Sequence, residues 1–264
     1  MINRRKFLRY AQIGAITTLG ASIVPQLSAR GQSGTLNIQW FGHTCFLFTG
    51  SGGRILVNPF ENKGCTKYYR SLASFGDLGN DYVFISSRLA DEGSYQSLQG
   101  SAKLLSQPGT YDLPQGSPRL RVQGIKTLHD RFGGRRFGDN IAWKWQQNGI
   151  NVLHMGGIAS QLGEEQLILM GQTDIMLVPV GGGDKGYNAE EAKKAIDLIN
   201  PKVVIPMHYK TAKADANACD LESVEEFLSM MSGTSIVRTG RASLNFSTSS
   251  LPSSGPQIQV MSYA

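Results

Sequence analysis

Short apolar runs separated by glycine dominate this chain and constrain it to a fold built from many short strands. Leu36-Asn37-Ile38-Gln39-Trp40, Cys45-Phe46-Leu47-Phe48 and Arg54-Ile55-Leu56-Val57 follow one another closely, and Gly50-Ser51-Gly52-Gly53 supplies a turn between the second and third. That arrangement predicts an antiparallel opening sheet. Further runs lie at Tyr82-Val83-Phe84-Ile85, Arg119-Leu120-Arg121-Val122, Ile141-Ala142-Trp143-Lys144-Trp145, Asn151-Val152-Leu153-His154 and Asp174 to Val180. Helical periodicity is clearest from Asn188 to Ile199, where Ala189, Ala192, Ala195, Ile196 and Ile199 form a stripe behind Asn188, an N-cap with Glu191 three residues on. Pro201 stops that helix, and Val203-Val204-Ile205-Pro206-Met207 reads as a buried strand that delivers His208 to a strand end. A second helix is expected from Leu221 to Met231, and the Ser/Pro-rich segment 247–255 reads as surface before a last strand at Gln257 to Met261.

The first thirty residues read as a targeting segment. Asn3-Arg4-Arg5-Lys6-Phe7-Leu8-Arg9 precedes a weakly apolar stretch from Ala11 to Val24 and then Leu27-Ser28-Ala29, the pattern of a twin-arginine export signal cleaved after Ala29. Its roughly 14 apolar residues fall short of the about 20 that cross a bilayer, although the large Leu27 leaves an uncleaved tether, and so membrane association, as an alternative. The expected domains are therefore a signal over 1–29 and one domain over 30–264, exported to a periplasm or a thylakoid lumen. Four of the 26 basic residues and none of the 20 acidic ones lie in the signal, leaving a balance of 22 to 20, or +2. So small an excess gives no support to a nucleic-acid partner. Cys45, Cys65 and Cys219 show no CxxC spacing; one pair is able to bridge, but the three are read first as small buried apolar side chains.

Each of the four histidines stands beside glycine, at a strand end, or both: His43 after Trp40-Phe41-Gly42, His129 after Gly124 to Leu128, His154 before Met155-Gly156-Gly157, and His208 after Pro206-Met207. Histidines collected from separate strand ends are how a layered fold assembles metal ligands, although any one of them alone is more often hydrogen-bonded in a core. Five blocks, in order, carry a resemblance: Trp40 to Phe46, Ile55 to Phe60, Asn151 to Gly157, Leu177 to Gly182 and Val204 to Tyr209. From about Leu36 onward they resemble the metallo-β-lactamase superfamily, in the branch of bacterial metal-dependent hydrolases that includes the ascorbate-6-phosphate lactonases. The fold this resemblance implies is a four-layer αββα sandwich.

The resemblance also places the metal ligands. The HxHxDH motif falls on the segment from Phe84 to Gly93, where the first ion's histidines would be Ser87, Leu89 and His129. The second ion's ligands would be Asp91, Glu92 in place of a histidine, and His208, with the bridging aspartate at Gly157. Asn58 stands where the family carries a carboxylate, and His43 and His154 take supporting positions with it. A zinc site takes three or four N, O or S donors. On that count the first site is empty, and the second retains Asp91, Glu92, His129 and His208 for at most one divalent ion, zinc or manganese, while no metal at all is the favoured expectation. Without a bridging carboxylate a shared hydroxide has no holder, so ordinary two-metal hydrolysis is expected to be absent. The plainer reading of Asp91 and Glu92 is a solvated pair that caps a helix starting near Ser94.

After His129, the loop from Arg131 to Asn140 offers Arg131, Arg135 and Arg136 as candidates for a phosphate or carboxylate, with an ordinary charged hairpin as the alternative. The run Gly181-Gly182-Gly183-Asp184-Lys185-Gly186 before the Asn188 helix is a further candidate to cradle an anion but lacks the full phosphate-loop spacing, which argues against a nucleotide; there is no GxSxG, and Cys45 is a poor nucleophile candidate beside His43. The leading expectation is a non-hydrolytic or atypical one-metal relative, a pseudoenzyme that binds a small molecule or a protein in the old cleft. The alternatives are an active hydrolase of a small phosphorylated or lactone-like substrate, in which Asp91 would be the catalytic candidate, and a structural subunit of an export-side membrane complex.

Overall fold

A computed structural model describes residues 34–96, 98–114 and 119–263. The expected export signal lies outside the described residues. The opening runs form β1 (Leu36–Gly42), β2 (Cys45–Gly50) and β3 (Gly53–Val57), followed by β4 (Tyr82–Phe84), β5 (Lys103–Leu105), β6 (Gly109–Leu113), β7 (Leu120–Leu128), β8 (Asp139–Gln147) and β9 (Ile150–His154). Helix α1 (Glu164–Met170) leads to β10 (Ile175–Pro179), α2 (Ala189–Ile199), β11 (Val203–Met207) and α3 (Val224–Met230), and the chain ends with β12 (Ser235–Arg238), β13 (Ser243–Phe246) and β14 (Gln257–Val260). Two sheets result, with strand orders β13-β1-β2-β3-β4-β5 and β12-β14-β11-β10-β9-β8-β7-β6. This is the mixed α/β sandwich expected of the αββα class.

The side-chain alternation of strands explains the layering. Phe46, Phe48, Ile55 and Val57 point into the main core between the sheets, while Leu47 and Leu56 point the other way into a second cluster with Phe41, Cys45, Phe60, Tyr69 and Leu72. That outer cluster is covered by the segment after β3, which carries the 3-10 turns Gly64–Thr66 and Leu72–Phe75. In the second sheet, β10 and β11 are parallel and buried along their whole length, which is why both read as unbroken apolar runs. Ala192, Ala195 and Ile196 of α2 and Phe227 and Leu228 of α3 join the same core from outside that sheet.

Local chemistry sets the ends of the elements. Asn188 caps α2 with a reciprocal box: its side chain accepts from Glu191 N, and Glu191 accepts from Asn188 N, each at 2.9 Å. The third helix is shorter than its expected span from Leu221, because Glu222 instead uses its backbone to join Gly181 and Lys210, at 2.7 Å each. No helix forms near Ser94, whose N–H donates to Pro59 O and whose hydroxyl donates to Ala90 O. Two cysteines do not behave as simple apolar side chains: Cys65 and Cys219 are bonded, with their Cα atoms 4.5 Å apart, and Cys45 alone is a free buried thiol.

Candidate functional site

The site forms where strands end. His43 lies in the turn between β1 and β2, Asn58 follows β3, Ser86 to Gly93 follow β4, His129 follows β7, Gly156 and Gly157 follow β9, Gly181 to Gly186 follow β10, and His208 follows β11. Three of these residues hold the left-handed conformation that L residues rarely adopt: His43 at φ 51°, Asn58 at 52° and His208 at 52°. Such backbone persists only where its surroundings impose it, and it concentrates at functional sites. Asn58 is fixed by accepting from Ser86 N at 2.8 Å, and the carbonyl of His43 receives both Trp40 Nε1, at 3.1 Å, and His208 N, at 3.3 Å.

Asp91, Glu92, His129 and His208 come into one neighbourhood, but the two carboxylates turn to different cations, Asp91 to Lys185 and Glu92 to His129, and His208 is in neither pair. Adjacent in sequence, Asp91 and Glu92 diverge. Glu92 Oε2 lies 2.9 Å from His129 Nε2, with both side chains 1% exposed, and Ser87 Oγ also donates to Oε2 at 3.3 Å. Asp91 Oδ2 is bonded by the Lys185 ammonium, with His43 Nε2 3.9 Å away. The sequence reading of Asp91 and Glu92 as a solvated capping pair therefore does not hold, since Glu92 is fully buried. His208 stacks obliquely on His43, their ring centroids 4.4 Å apart.

Burial sets the titration of this cluster, and the pairings modify it. Burial pushes His43 down to about 4 and His208 to about 3, the latter aided by His43 beside it. Both are therefore neutral near pH 7. Burial by itself would raise the Asp91 and Glu92 carboxyls, but His43 and Lys185 around Asp91, and His129 beside Glu92, hold them below the usual carboxylate range. Conversely, Glu92 overcomes burial to raise His129. The state near neutrality is two ion pairs, Asp91 with Lys185 and Glu92 with His129, flanked by two neutral imidazoles.

His154 is buried and neutral, pushed down to about 4 by burial; its Nε2 donates to Thr44 O at 3.0 Å while Nδ1 accepts from Gly156 N at 3.2 Å. Gly157, where the resemblance would put a bridging carboxylate, lies against the pair of Glu92 and His129. A Cβ there would come within 2.4 Å of His129 Cε1 and 2.7 Å of Glu92 Oε1. Among the described residues no three His, Cys, Asp or Glu groups are arranged to hold one ion. A two-ion centre of the kind the resemblance implies does not fit these residues as they stand: a side chain at 157 would meet His129 and Glu92, and Asp91 Oδ2 and Glu92 Oε2 are held by Lys185 and His129. A cavity of about 20 Å³, room for about one water, adjoins Asp91, Lys185, His43, His208, Cys65 and Asp220.

The arginines proposed for an anion are otherwise engaged. Arg131 grips Glu191 through Nε and Nη2, at 2.8 and 2.6 Å, and donates to Gly183 O and Gly186 O at 3.0 and 2.9 Å. Arg136 pairs with Asp184 at 2.7 Å, and Arg135 donates to Phe132 O. Asp130, which the sequence reading passed over, organises this loop: its carboxylate accepts from the N–H groups of Phe132, Gly134, Arg136 and Phe137 at 2.8–2.9 Å. Lys185 was also missed as the partner of Asp91, since its glycine-rich run reads as a cradle for a bound anion and not for a carboxylate of the chain itself. Its signal was its place just beyond a buried parallel strand.

A beta-lactamase superfamily domain matches residues 37–208. A protein named a metal-dependent hydrolase from Methanoculleus marisnigri is 26% identical over 215 residues, covering 77% of this chain and 92% of that one. Another so named, from Thermococcus onnurineus, is 27% identical over 195 residues, 67% of this chain and 85% of its own. Among solved structures, a protein assigned as a zinc-dependent hydrolase of the metallo-β-lactamase superfamily from Thermotoga maritima superposes with a TM-score of 0.64 at 28% identity, over 86% of this chain and 98% of that chain. A metallo-hydrolase from Ignicoccus hospitalis shares the fold at 18% identity and a TM-score of 0.56, over 80% of this chain and 98% of its own. With more than half of its length matched, this chain belongs to the beta-lactamase superfamily, and its relatives are named metal-dependent hydrolases.

Proposed function

We propose that this chain uses the superfamily's cleft to bind a ligand, a small molecule or a protein, without two-metal hydrolysis. One observation carries this reading: both carboxylates at the expected second-ion positions are already neutralised by protein cations, Asp91 by Lys185 and Glu92 by His129. In each pair one carboxylate oxygen, Asp91 Oδ2 or Glu92 Oε2, is engaged by an N–H donor, and a metal taking that oxygen must displace the donor and its charge. The glycine at 157 adds to this, since nothing there holds a bridging hydroxide. Export is the matching proposal for location, and what supports it is the Cys65–Cys219 disulfide, a bond that persists in oxidising compartments. Service as a subunit of an export-side assembly rests on the export proposal alone.

A second reading keeps one ion and a hydrolytic role. It is favoured by the names of the relatives and by buried polar atoms without partners among the described residues: Glu92 Oε1, His43 Nε2, His129 Nδ1 and His208 Nδ1. The separating experiment is elemental analysis of the purified mature protein, combined with assays on phosphodiester and lactone substrates in added zinc or manganese. The proposal expects far less than one ion per chain and no metal-dependent turnover. A stoichiometric ion with turnover that disappears in His208→Ala establishes the one-ion hydrolase instead.

A further inference from the structure

The geometry points to Lys185 as a tethered cation that occupies the charge position of a metal ion on Asp91 and keeps divalent metal out of the cleft. This inference rests on the ligand-binding reading above and deepens it by naming the residue that enforces it. The Lys185 ammonium bonds Asp91 Oδ2, the side chains are 28% and 21% exposed, and the pair sits on the cavity bounded by His43 and His208. An ammonium is a compact charge with three N–H donors and no lone pair, so it satisfies Asp91 yet gives nothing to a second cation, and it repels a divalent ion brought next to it.

The loop that presents Lys185 is built to hold it there. Gly182 and Gly183 turn the chain at φ 71° and 69°. Gly182 N donates to Tyr187 O at 2.8 Å, closing the loop on itself. The Arg131 guanidinium clamps the carbonyls on both sides of the lysine, Gly183 O and Gly186 O, while its other face grips Glu191 in the first turn of α2. Gly186 itself leaves room for a ring, since a Cβ there would come within 2.8 Å of His208 Nδ1. A free surface lysine needs no such bracket. With Lys185 gone, Asp91 would face Nε2 of His43, now 3.9 Å away, and the His208 ring behind it; the three are not spaced around one point as they stand, so zinc would bind by drawing this carboxylate and the two imidazoles together.

The test is zinc binding, read by titration calorimetry and by elemental analysis after dialysis, on wild type, Lys185→Met, Lys185→Met with Asp91→Asn, and the surface control Lys193→Met. Expected are little zinc in wild type and in Lys193→Met, about one ion and at least about tenfold tighter binding in Lys185→Met, and loss of that ion in the double variant. Wild type and Lys185→Met both empty would overturn the inference while leaving the ligand-binding reading in place. Wild type holding zinc as tightly as Lys185→Met would overturn both. A measurement on the native protein covers a variant that fails to fold: acetylation of individual lysines, followed by mass spectrometry across a zinc titration. Zinc uptake and Lys185 labelling should rise together, because the ion displaces the ammonium; uptake with Lys185 still protected sinks the inference.

Discussion

Glu92 Oε2 and His129 Nε2 meet 2.9 Å apart in the interior, each side chain 1% exposed, so the pair is held as an ion pair away from solvent. Removing one member leaves a buried charge without a partner, which typically costs about 3–5 kcal/mol, whereas replacing both with apolar groups is often close to neutral. His129→Leu should therefore lose roughly that much in urea unfolding, and His129→Leu with Glu92→Leu should recover a large part of it. Equal losses for the single and the double variant would show that the charge pair is not what the position needs.

The stability of the protein should fall steeply on mild acidification. Burial holds His43 and His154 at about 4 and His208 at about 3, while an unfolded histidine titrates near about 6.5. Below that value the unfolded chain takes up protons that the folded protein refuses, so stability is lost as pH falls from about 6.5 to about 3, and the lowered Asp91 and Glu92 carboxyls add to the loss once pH drops below the unfolded carboxylate range. His129 has the opposite sign: Glu92 raises its affinity, and its contribution is full below about 6.5 and lost as pH rises through the raised value. Near pH 5 the three lowered histidines give a slope of at most about 4 kcal/mol per pH unit. Urea midpoints at pH 7.5, 6.5 and 5.5 check it, and a flat profile would mean the three rings are accessible to protons.

The fold was legible because hydrophobic period and strand length agree. β1, β2, β3, β9, β10 and β11 fall on the expected runs, and the Asn188–Glu191 box marks the start of α2. Strands β5, β6, β12 and β13 left little trace, since Lys103–Leu105 and Ser235–Arg238 are short, partly or wholly exposed edges with no apolar face to read. Helix α1 was hidden because Leu167-Ile168-Leu169-Met170 is a continuous apolar run without helical spacing, and Ile168 is 77% exposed. At the site, the strand-end placement of the histidines could be read, but partner choice could not. Asp91 and Glu92 diverge toward Lys185 and His129, 94 and 37 residues away, and the Cys65–Cys219 bond spans 154; no local pattern encodes contacts of that range.

A carboxylate placed at position 157, where the resemblance implies a bridging one, should damage the protein without creating a metal centre. Any side chain at position 157 must place its Cβ within 2.4 Å of His129 Cε1 and 2.7 Å of Glu92 Oε1, distances real Cβ atoms do not show. Gly157→Asp also adds a negative charge beside Glu92, whose ion-pair partner is His129. The expected result is a loss of about 1–3 kcal/mol or more from overpacking, with zinc content unchanged in elemental analysis. A folded Gly157→Asp protein of wild-type stability that binds two ions would show that the neighbouring pair rearranges freely.

Reduction of the disulfide should weaken the protein by less than loop length alone suggests. Cys65 and Cys219 close a loop spanning 154 residues, for which chain entropy predicts about 5 kcal/mol. The same two segments, however, are also tied by Lys67 to Asp215 at 2.7 Å, by Tyr69 Oη to Thr211 Oγ1 at 2.9 Å and by Tyr68 N donating to Lys213 O at 3.2 Å. These ties keep the native arrangement after reduction, and a denatured chain retains residual structure that limits the freedom it gains, so the loss should fall at about 2–4 kcal/mol and the protein should stay folded. Comparing urea unfolding of Cys65→Ser with Cys219→Ser against wild type measures it. Cys45 gives the internal control: it is buried, and burial pushes its thiol up, so alkylation of the native protein after mild reduction should label Cys65 and Cys219 and spare Cys45. Labelling of all three would mean that reduction opens the outer cluster around Leu47 and Leu56, and that the disulfide holds that layer in place.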